Sequence, residues 1–312
     1  MADKQSKFAK FLRRSDQTLS KWTAPVGFVI ALILAISVGI PTGIDIYQSW
    51  ANLEAKERAK TGIELIKLMA TIVGGVAIFW NVVIARWQLA ASQEQSVTDR
   101  FSKAVEQLGS QQPSVRVGAI YSLGRIARDS PRDNWSIMEI LSVFVRERRG
   151  LPPGERLAQK PLTIDRDVQA AVIVIGRRDP KCDLESEPLF LNYTDFRKVS
   201  FAEDDFHNIR FHCSDFREAN FYDANLQKTK FWKSCLMKAV LFKADLKDAD
   251  LVEADLREAN MKECILTGAN IEKANLEGAR HLTVEQVKSA ENWQKAIYDD
   301  NFLILLGSQA ID

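Results

Sequence analysis

The chain has 312 residues, with 42 Lys plus Arg against 41 Asp plus Glu and a formal net charge of +1. So even a balance gives no global pull toward nucleic acid, and 46% apolar residues are too many for a disordered chain. Four cysteines (Cys182, Cys213, Cys235, Cys264) and three histidines exclude a disulfide scaffold and a histidine-rich metal protein.

Residues 1–21 form a basic segment carrying Lys4, Lys7, Lys10, Arg13, Arg14 and Lys21, with Phe8, Phe11 and Leu12 among them. Such a segment either rests on an anionic membrane surface or serves as a flexible basic flank. From Trp22 to Ile44 there are 23 residues without a charge, enough to cross a hydrocarbon core of about 30 Å. The competing reading, a cleaved signal peptide, is opposed by the length of the run and the lack of a clear small-x-small site at its end. A second uncharged run, Leu68 to Ala85, has 18 residues between Lys67 and Arg86, near the lower limit for a span. Residues 22–90 are therefore expected to hold two transmembrane helices. Six Lys or Arg precede the first span, four lie in Asp45–Lys67, and Arg86, Arg100 and Lys103 follow the second, which places both termini in the cytoplasm. Ala31-x-x-x-Ala35, Gly39-x-x-x-Gly43 and Ala70-x-x-x-Gly74 are small-residue spacings that permit close helix contact.

Residues 91–150 read as helical. Val97, Phe101, Ala104, Val105 and Leu108 recur with a helical period. After Pro113, the residues Val115, Ala119, Ile120, Leu123 and Ile126 share one face, with Arg116 just past the proline start; this segment looks like one helix of a HEAT-type repeat. Trp135 to Val145 is a further apolar helix, closed by Arg146-Glu-Arg-Arg-Gly150. Residues 151–180 combine a proline-rich linker with a short helix, Thr163 to Ile175, whose N-cap is Thr163 or Asp165 and whose end is marked by Gly176. Its place immediately before a repeat makes it the N-terminal cap of that repeat.

The repeat is the strongest feature of the sequence. From Leu191 through Phe196, Phe201 and onward to Leu276, every fifth residue is large and apolar, 18 positions without exception. Two residues earlier the side chain is usually small, as at Ser214, Ala219, Ala244 and Cys264, and the residue between is often Asp or Asn. A period of five is neither an amphipathic helix nor a simple sheet. Ala244-Asp-Leu-Lys-Asp, Ala249-Asp-Leu-Val-Glu, Ala254-Asp-Leu-Arg-Glu and Ala274-Asn-Leu-Glu-Gly are among the units that carry a resemblance to the pentapeptide-repeat family. The resemblance implies a right-handed quadrilateral β-helix over residues 181–280, with one pentapeptide per side, the central Leu or Phe and the small residue pointing inward. It also implies that the Asp or Asn of each unit belongs to the repeat and is not a catalytic carboxylate.

Some members of that family mimic DNA and inhibit gyrase through a strongly acidic surface. Here residues 191–280 hold 16 Asp plus Glu against 14 Lys plus Arg, thin for such a mimic. Folding the repeat into coils of four units stacks His212, Trp232 and Val252 on one face, places Tyr222 and Phe242 on the opposite one, and Met237 between. Trp232, Met237 and Phe242 then form an outward apolar belt, extended by Tyr222 and Val252. Exposed aromatics gathered in this way mark an interface, either with another molecule or with covering segments of the same chain. No two His or Cys meet in a column, so no metal site is expected. Nor is a phosphate loop or a nucleophile–base pair legible, so no catalytic residue, cofactor or small-molecule substrate is expected. After Leu276, with His281 in the central register, Thr283-Val-Glu-Gln286 is a capping box opening a helix to about Ala290. Trp293, Ile297, Tyr298, Phe302, Leu305 and Leu306 form a second apolar helical stripe. Residues 281–312 are thus a C-terminal helical cap, with a dimer contact as the alternative role.

The whole reads as a mixed architecture: two N-terminal transmembrane helices, an α-helical middle, and a pentapeptide solenoid with helical caps. The expected protein is a multi-pass protein of the bacterial inner membrane. Its expected role is non-enzymatic, a scaffold that presents the solenoid to a protein partner or to its own copies, with the lipid bilayer as its other partner and no nucleic acid. The alternatives are an oligomeric pore or membrane-disrupting effector and, less favoured, a DNA-mimic gyrase inhibitor.

Overall fold

The computed structural model describes residues 44–45, 48, 51, 54–151, 165–183 and 187–308. The chain divides into two compact units, residues 1–90 and 91–312. Helix α1 spans Ala55–Leu108. Its stretch Ala59–Leu89, 31 residues, is long and apolar enough to cross a membrane, and among the described side chains of that stretch none is buried against protein. Among the described residues it is the one helix with that property, longer at both ends than the Leu68–Ala85 run. The first apolar run, Trp22–Ile44, lies outside the described residues apart from Ile44.

The second unit begins with the end of α1, where Ala104 and Leu108 are buried and Val97 and Phe101 are partly so. Val105, expected on the same stripe, faces outward instead. Two helices follow, α2 at Pro113–Asp129 and α3 at Pro131–Arg149, both opening on proline. Proline suits the first helical turn because its missing N–H has no intrahelical acceptor there. A single residue, Ser130, joins them, so they pack as neighbours. Ala119, Ile120 and Leu123 of α2 meet Ile137, Met138 and Leu141 of α3 in the core, all 0–1% exposed. Helix α4, Arg166–Gly176, buries Val168, Ala171, Val172 and Ile175 against the same core. It includes Gly176 and is capped by Arg177; Asp165 occupies the N-cap position without a side-chain capping bond.

The solenoid follows. Parallel bridges link residues 20 apart, from Asp195↔Asp215 to Asn260↔Arg280, so each coil takes four pentapeptides. All 18 central positions from Leu191 to Leu276 are buried at 0–2% exposure. The first coils are filled by phenylalanine: Phe196 stacks on Phe216 at 5.1 Å, Phe201 on Phe221 at 4.7 Å and Phe211 on Phe231 at 5.3 Å between centroids. Leucine takes over from Leu236. Each side contributes only isolated bridge residues, because the chain turns a corner every five residues. At each corner the second residue past the central one takes positive φ, as at Lys198, Glu218, Lys238 and Glu258. The N–H after it bonds back to the central carbonyl, as Val199 to Phe196 at 3.0 Å. This is the turn geometry that requires φ > 0 at its third residue.

The Asp or Asn of each unit has a defined task. Its Oδ1 accepts from the backbone N–H two residues on, as Asn220 does from Tyr222 at 3.0 Å and Asp245 from Lys247 at 3.0 Å. That bond satisfies a corner donor which the ladder leaves free. Arg210 cannot serve in this way, and there Asn192 of the preceding coil accepts from the His212 N–H at 2.8 Å.

Both ends of the solenoid are closed. At the N-terminal end the Gly176 carbonyl accepts from Asp205 N at 2.9 Å, and Gln169 of α4 exchanges two bonds with the backbone of Ser200. A Cβ on Gly176 would meet the Phe206 ring, so α4 can approach the first coil only through glycine. Asp195 N donates to the Arg149 carbonyl at the end of α3, beside an antiparallel bridge between Gly150 and Thr194. At the C-terminal end the capping box of Thr283 and Gln286 opens helix α5, Val284–Lys288, two residues shorter than expected. Val284 and Val287 cover the last coil, and Gln286 Nε2 donates to the carbonyls of Met261 and Cys264.

The repeat ends after Leu276 as expected: His281, in the central register, is exposed, and Leu282 and α5 cover the core in its place. One expectation for this end is corrected. The stripe Trp293–Leu306 is not one helix. It is a 3-10 turn, Trp293–Lys295, then a bridge of Ile297 to Asn275, then helix α6, Asp300–Ser308. Glu291 likewise pairs with Asn270, so the ladder continues past the last repeat with longer corners. Backbone pairing on the open end of the stack outweighs the local helical period.

Candidate interaction surface

The 20-residue register assigns every outward side chain to a column. One column reads Asn192, His212, Trp232, Val252, Glu272; the next Arg197, Arg217, Met237, Arg257, Glu277; the third Ala202, Tyr222, Phe242, Lys262; the fourth His207, Gln227, Lys247, Thr267. Tyr222, Trp232, Met237, Phe242 and Val252 are all half-buried. They are less exposed than a free surface residue because column neighbours cover them. Tyr222 and Phe242 pack with ring centroids 5.5 Å apart, and Lys243 and Lys262 lie over Phe242 at 5.4 and 5.3 Å. Trp232 meets His212 edge-on at 6.0 Å and carries Lys233 over its ring at 4.4 Å. The five residues therefore fall into a Tyr222–Phe242 pair, a Trp232–Val252 column with His212, and a separate Met237. They occupy three faces, and a partner touching two of these groups must wrap a corner.

The Met237 column has a pattern of its own. Asp195, Asp215 and Asp255 each hold the arginine two residues on, with Asp–Arg contacts of 2.9, 2.6 and 2.7 Å. At the coil between, Cys235 and Met237 replace the Asp and the Arg. The uncharged break opens a pocket of about 140 Å³ lined by Cys213, Cys235, Met237, Arg217, Arg257 and Leu151, among others. Burial, reinforced by Asp215 and Asp255, pushes the Cys235 thiol up. Burial also raises the Cys264 thiol. A raised thiol is protonated and weakly nucleophilic. Among the described residues no three His, Cys, Asp or Glu side chains are arranged to hold a metal ion.

The ion pairs of three buried arginines were not legible in the sequence. Arg116 Nε bonds Asp167 at 2.6 Å, with Nη1 on the carbonyls of Ser110 and Gln111. Arg149 Nε bonds Asp165 at 2.9 Å and Nη1 reaches the Asp195 carbonyl. Arg178 binds Asp183 with Nε and Nη2 and donates to the carbonyls of Ile175, Asp205 and His207. Arg116 ties α2 to α4, and Arg149 and Arg178 tie the helices to the first coil. The available signal was the run of Asp and Arg from Asp165 to Asp183, which reads as surface charge until the fold pairs it.

The stacked four-sided coils, inward Leu and Phe and Asx corners define a pentapeptide solenoid. Residues 205–241 and 244–280 match the family described as Pentapeptide repeats, in eight copies, and the solenoid of this chain belongs to that family. No curated protein matches the chain. Among solved structures it is similar to HetL, a pentapeptide repeat protein involved in heterocyst differentiation regulation in Nostoc sp. strain PCC 7120. The identity is 26%, over 29% of this chain and 40% of HetL, with a TM-score of 0.29. A pentapeptide repeat protein of the Arabidopsis thaliana thylakoid lumen is 37% identical over 29% of this chain and 52% of its own, with a TM-score of 0.15. Full-length QnrB1, a plasmid-mediated fluoroquinolone resistance protein, is 13% identical over 40% of this chain and 84% of its own, with a TM-score of 0.15. This chain thus spans less than two thirds of HetL and of the Arabidopsis protein.

Proposed function

We propose that the chain is a non-enzymatic, membrane-anchored scaffold whose solenoid binds a protein partner through Trp232, Met237, Phe242, Tyr222 and Val252. The observation that carries this reading is the filling of the stack. Every inward position is occupied, so the solenoid offers its outward columns and no substrate cavity along its axis. On those columns the charged and polar pattern is interrupted by the Tyr222–Phe242 pair, by Trp232 and by Met237. A rigid backbone that holds such groups in place binds without a large ordering cost. Ala59–Leu89 supplies the anchor, since its described apolar side chains have no protein cover. In this reading Trp22–Ile44 is a second span of a bacterial inner-membrane protein, both termini are cytoplasmic, and residues 91–150 serve as a helical adaptor.

The test is the full chain carrying Trp232→Glu and Phe242→Glu, compared with wild type by native mass after mild detergent extraction. The variant is expected to retain its thermal transition, because neither side chain fills the core, and to lose the mass of the partner or second copy. Unchanged mass in the variant would refute the assignment of these columns. Resistance of the chain to alkaline carbonate extraction from membranes is expected as well; release into the soluble fraction would refute the anchor.

A further inference from the structure

A second feature of the helical cap lies away from the apolar columns. Helices α2, α3 and α4 leave a pocket of about 60 Å³ among them, lined by Tyr121, Arg128, Asn134, Met138, Arg177 and Arg178, among others. That is room for a few water molecules or one small tetrahedral anion. Its chemistry is uneven. Asn134 is 1% exposed; its Nδ2 donates to the Ala127 carbonyl at 3.1 Å, and its Oδ1 is buried with no hydrogen-bond partner. Exchanging the amide N and O would set the oxygen against the Ala127 carbonyl, so the orphan is an acceptor. A buried acceptor left without a donor costs free energy, and its persistence in a pocket points to an occupant that brings a proton.

The other polar side chains of the lining are Tyr121 and the positive donors Arg128, Arg177 and Arg178, beside apolar Met138, Ile173 and Val174. Arg178 commits its donors to Asp183 and to three carbonyls, so it contributes structure rather than ligand contacts. Arg177 gives its Nε to Asp204 at 3.0 Å, which leaves its terminal nitrogens for another acceptor. Arg128 and Tyr121 stand exposed at the same pocket. The pocket thus pairs arginine donors with one buried acceptor. The geometry points to a site for hydrogenphosphate, an anion that accepts from Arg128 and Arg177 while its remaining P–OH donates to Asn134 Oδ1. Sulfate has the same shape and no proton to give. A phosphomonoester has lost its proton above its second pKa of about 6, so it fails the same demand.

The experiment is calorimetric titration of the full chain in neutral detergent at about pH 7.5, above that second ionisation of a monoester. The probes are inorganic phosphate, sulfate and O-phosphoserine. Phosphate is expected to bind at least about tenfold more tightly than either of the others, the worth of one hydrogen bond to a charged ligand. Arg128→Gln, an exposed change that leaves the helices intact, should weaken phosphate about tenfold. Asn134→Leu should make phosphate and sulfate equal. Equal affinity for phosphate and sulfate in the wild type, no measurable binding of phosphate, or binding unchanged by Arg128→Gln would each overturn the site. Tight binding of phosphoserine would overturn the role of the retained proton.

Discussion

Replacing Arg178 by Met should open the N-terminal cap without unravelling the far coils. The side chain is 1% exposed and pairs with Asp183, itself 14% exposed, at 2.7 Å. Its Nη1 holds the Asp205 carbonyl at 2.7 Å, and its Nη2 holds that of His207 at 3.1 Å. Met fills much of the same volume but leaves a buried carboxylate and two carbonyls without donors. Breaking a buried pair from one side costs about 3–5 kcal/mol. Adding Asp183→Asn removes the stranded charge and should return a good part of that loss, since the remaining deficit is in neutral hydrogen bonds of about 1 kcal/mol each. Hydrogen exchange read by mass spectrometry on the detergent-solubilised chain reports both. Protection of α4 amides should fall roughly a hundred- to thousandfold in Arg178→Met, while residues 236–276 keep theirs, because a solenoid passes stability only to its neighbours. A change in α4 of less than tenfold, or an equal loss in the distant coils, would refute the reasoning.

Other outcomes follow from the corners, a histidine and the thiols. Gly268, at φ +69°, would bring a new Cβ against Asp248 Oδ1, so Gly268→Ala should lower stability by about 1–2 kcal/mol in denaturant melts. Lys238, at φ 61°, should gain slightly from replacement by Gly. Burial depresses the His212 pKa, with Asp250 opposing and Arg210 and Lys230 assisting. The folded chain therefore holds this imidazole neutral, and stability that is full above about pH 6.5 declines as pH falls toward the lowered value. His212→Gln should flatten the melting temperature across that window, and an unaltered slope would remove His212 as its source. Cys264, buried with its thiol raised, should resist maleimide in the native chain and label on unfolding, whereas half-exposed Cys213 should label natively.

The inside of the solenoid was legible because a period of five admits one filling: Leu191 to Leu276 are buried without exception, and the column map follows from counting. Exposure within the columns was not legible. Whether Trp232 stands free or lies between His212 and Val252 depends on the heights of neighbouring side chains, which spacing does not specify. The caps were harder still. Arg116, Arg149 and Arg178 have the composition of surface residues; the packing of α4 on α2 turns Arg116 inward, and the docking of the helices on the first coil does the same for Arg149 and Arg178. At the other end, Trp293 to Leu306 satisfies a helical period, yet the unpaired edges of Asn270 and Asn275 capture Glu291 and Ile297 into the ladder. Local pattern named the apolar residues there; the open end of the stack chose their conformation.

The scaffold reading rests on contacts made at particular columns, and photo-crosslinking in growing cells reads those contacts directly. A benzophenone amino acid placed singly at Trp232, Met237, Phe242 and, on the fourth face, Lys247 compares the apolar columns with a polar one on the same fold. Discrete adducts from Trp232 and Phe242 in the membrane fraction, with none from Lys247, are the predicted result. Adducts of equal yield from every position, or from Lys247 alone, would contradict it.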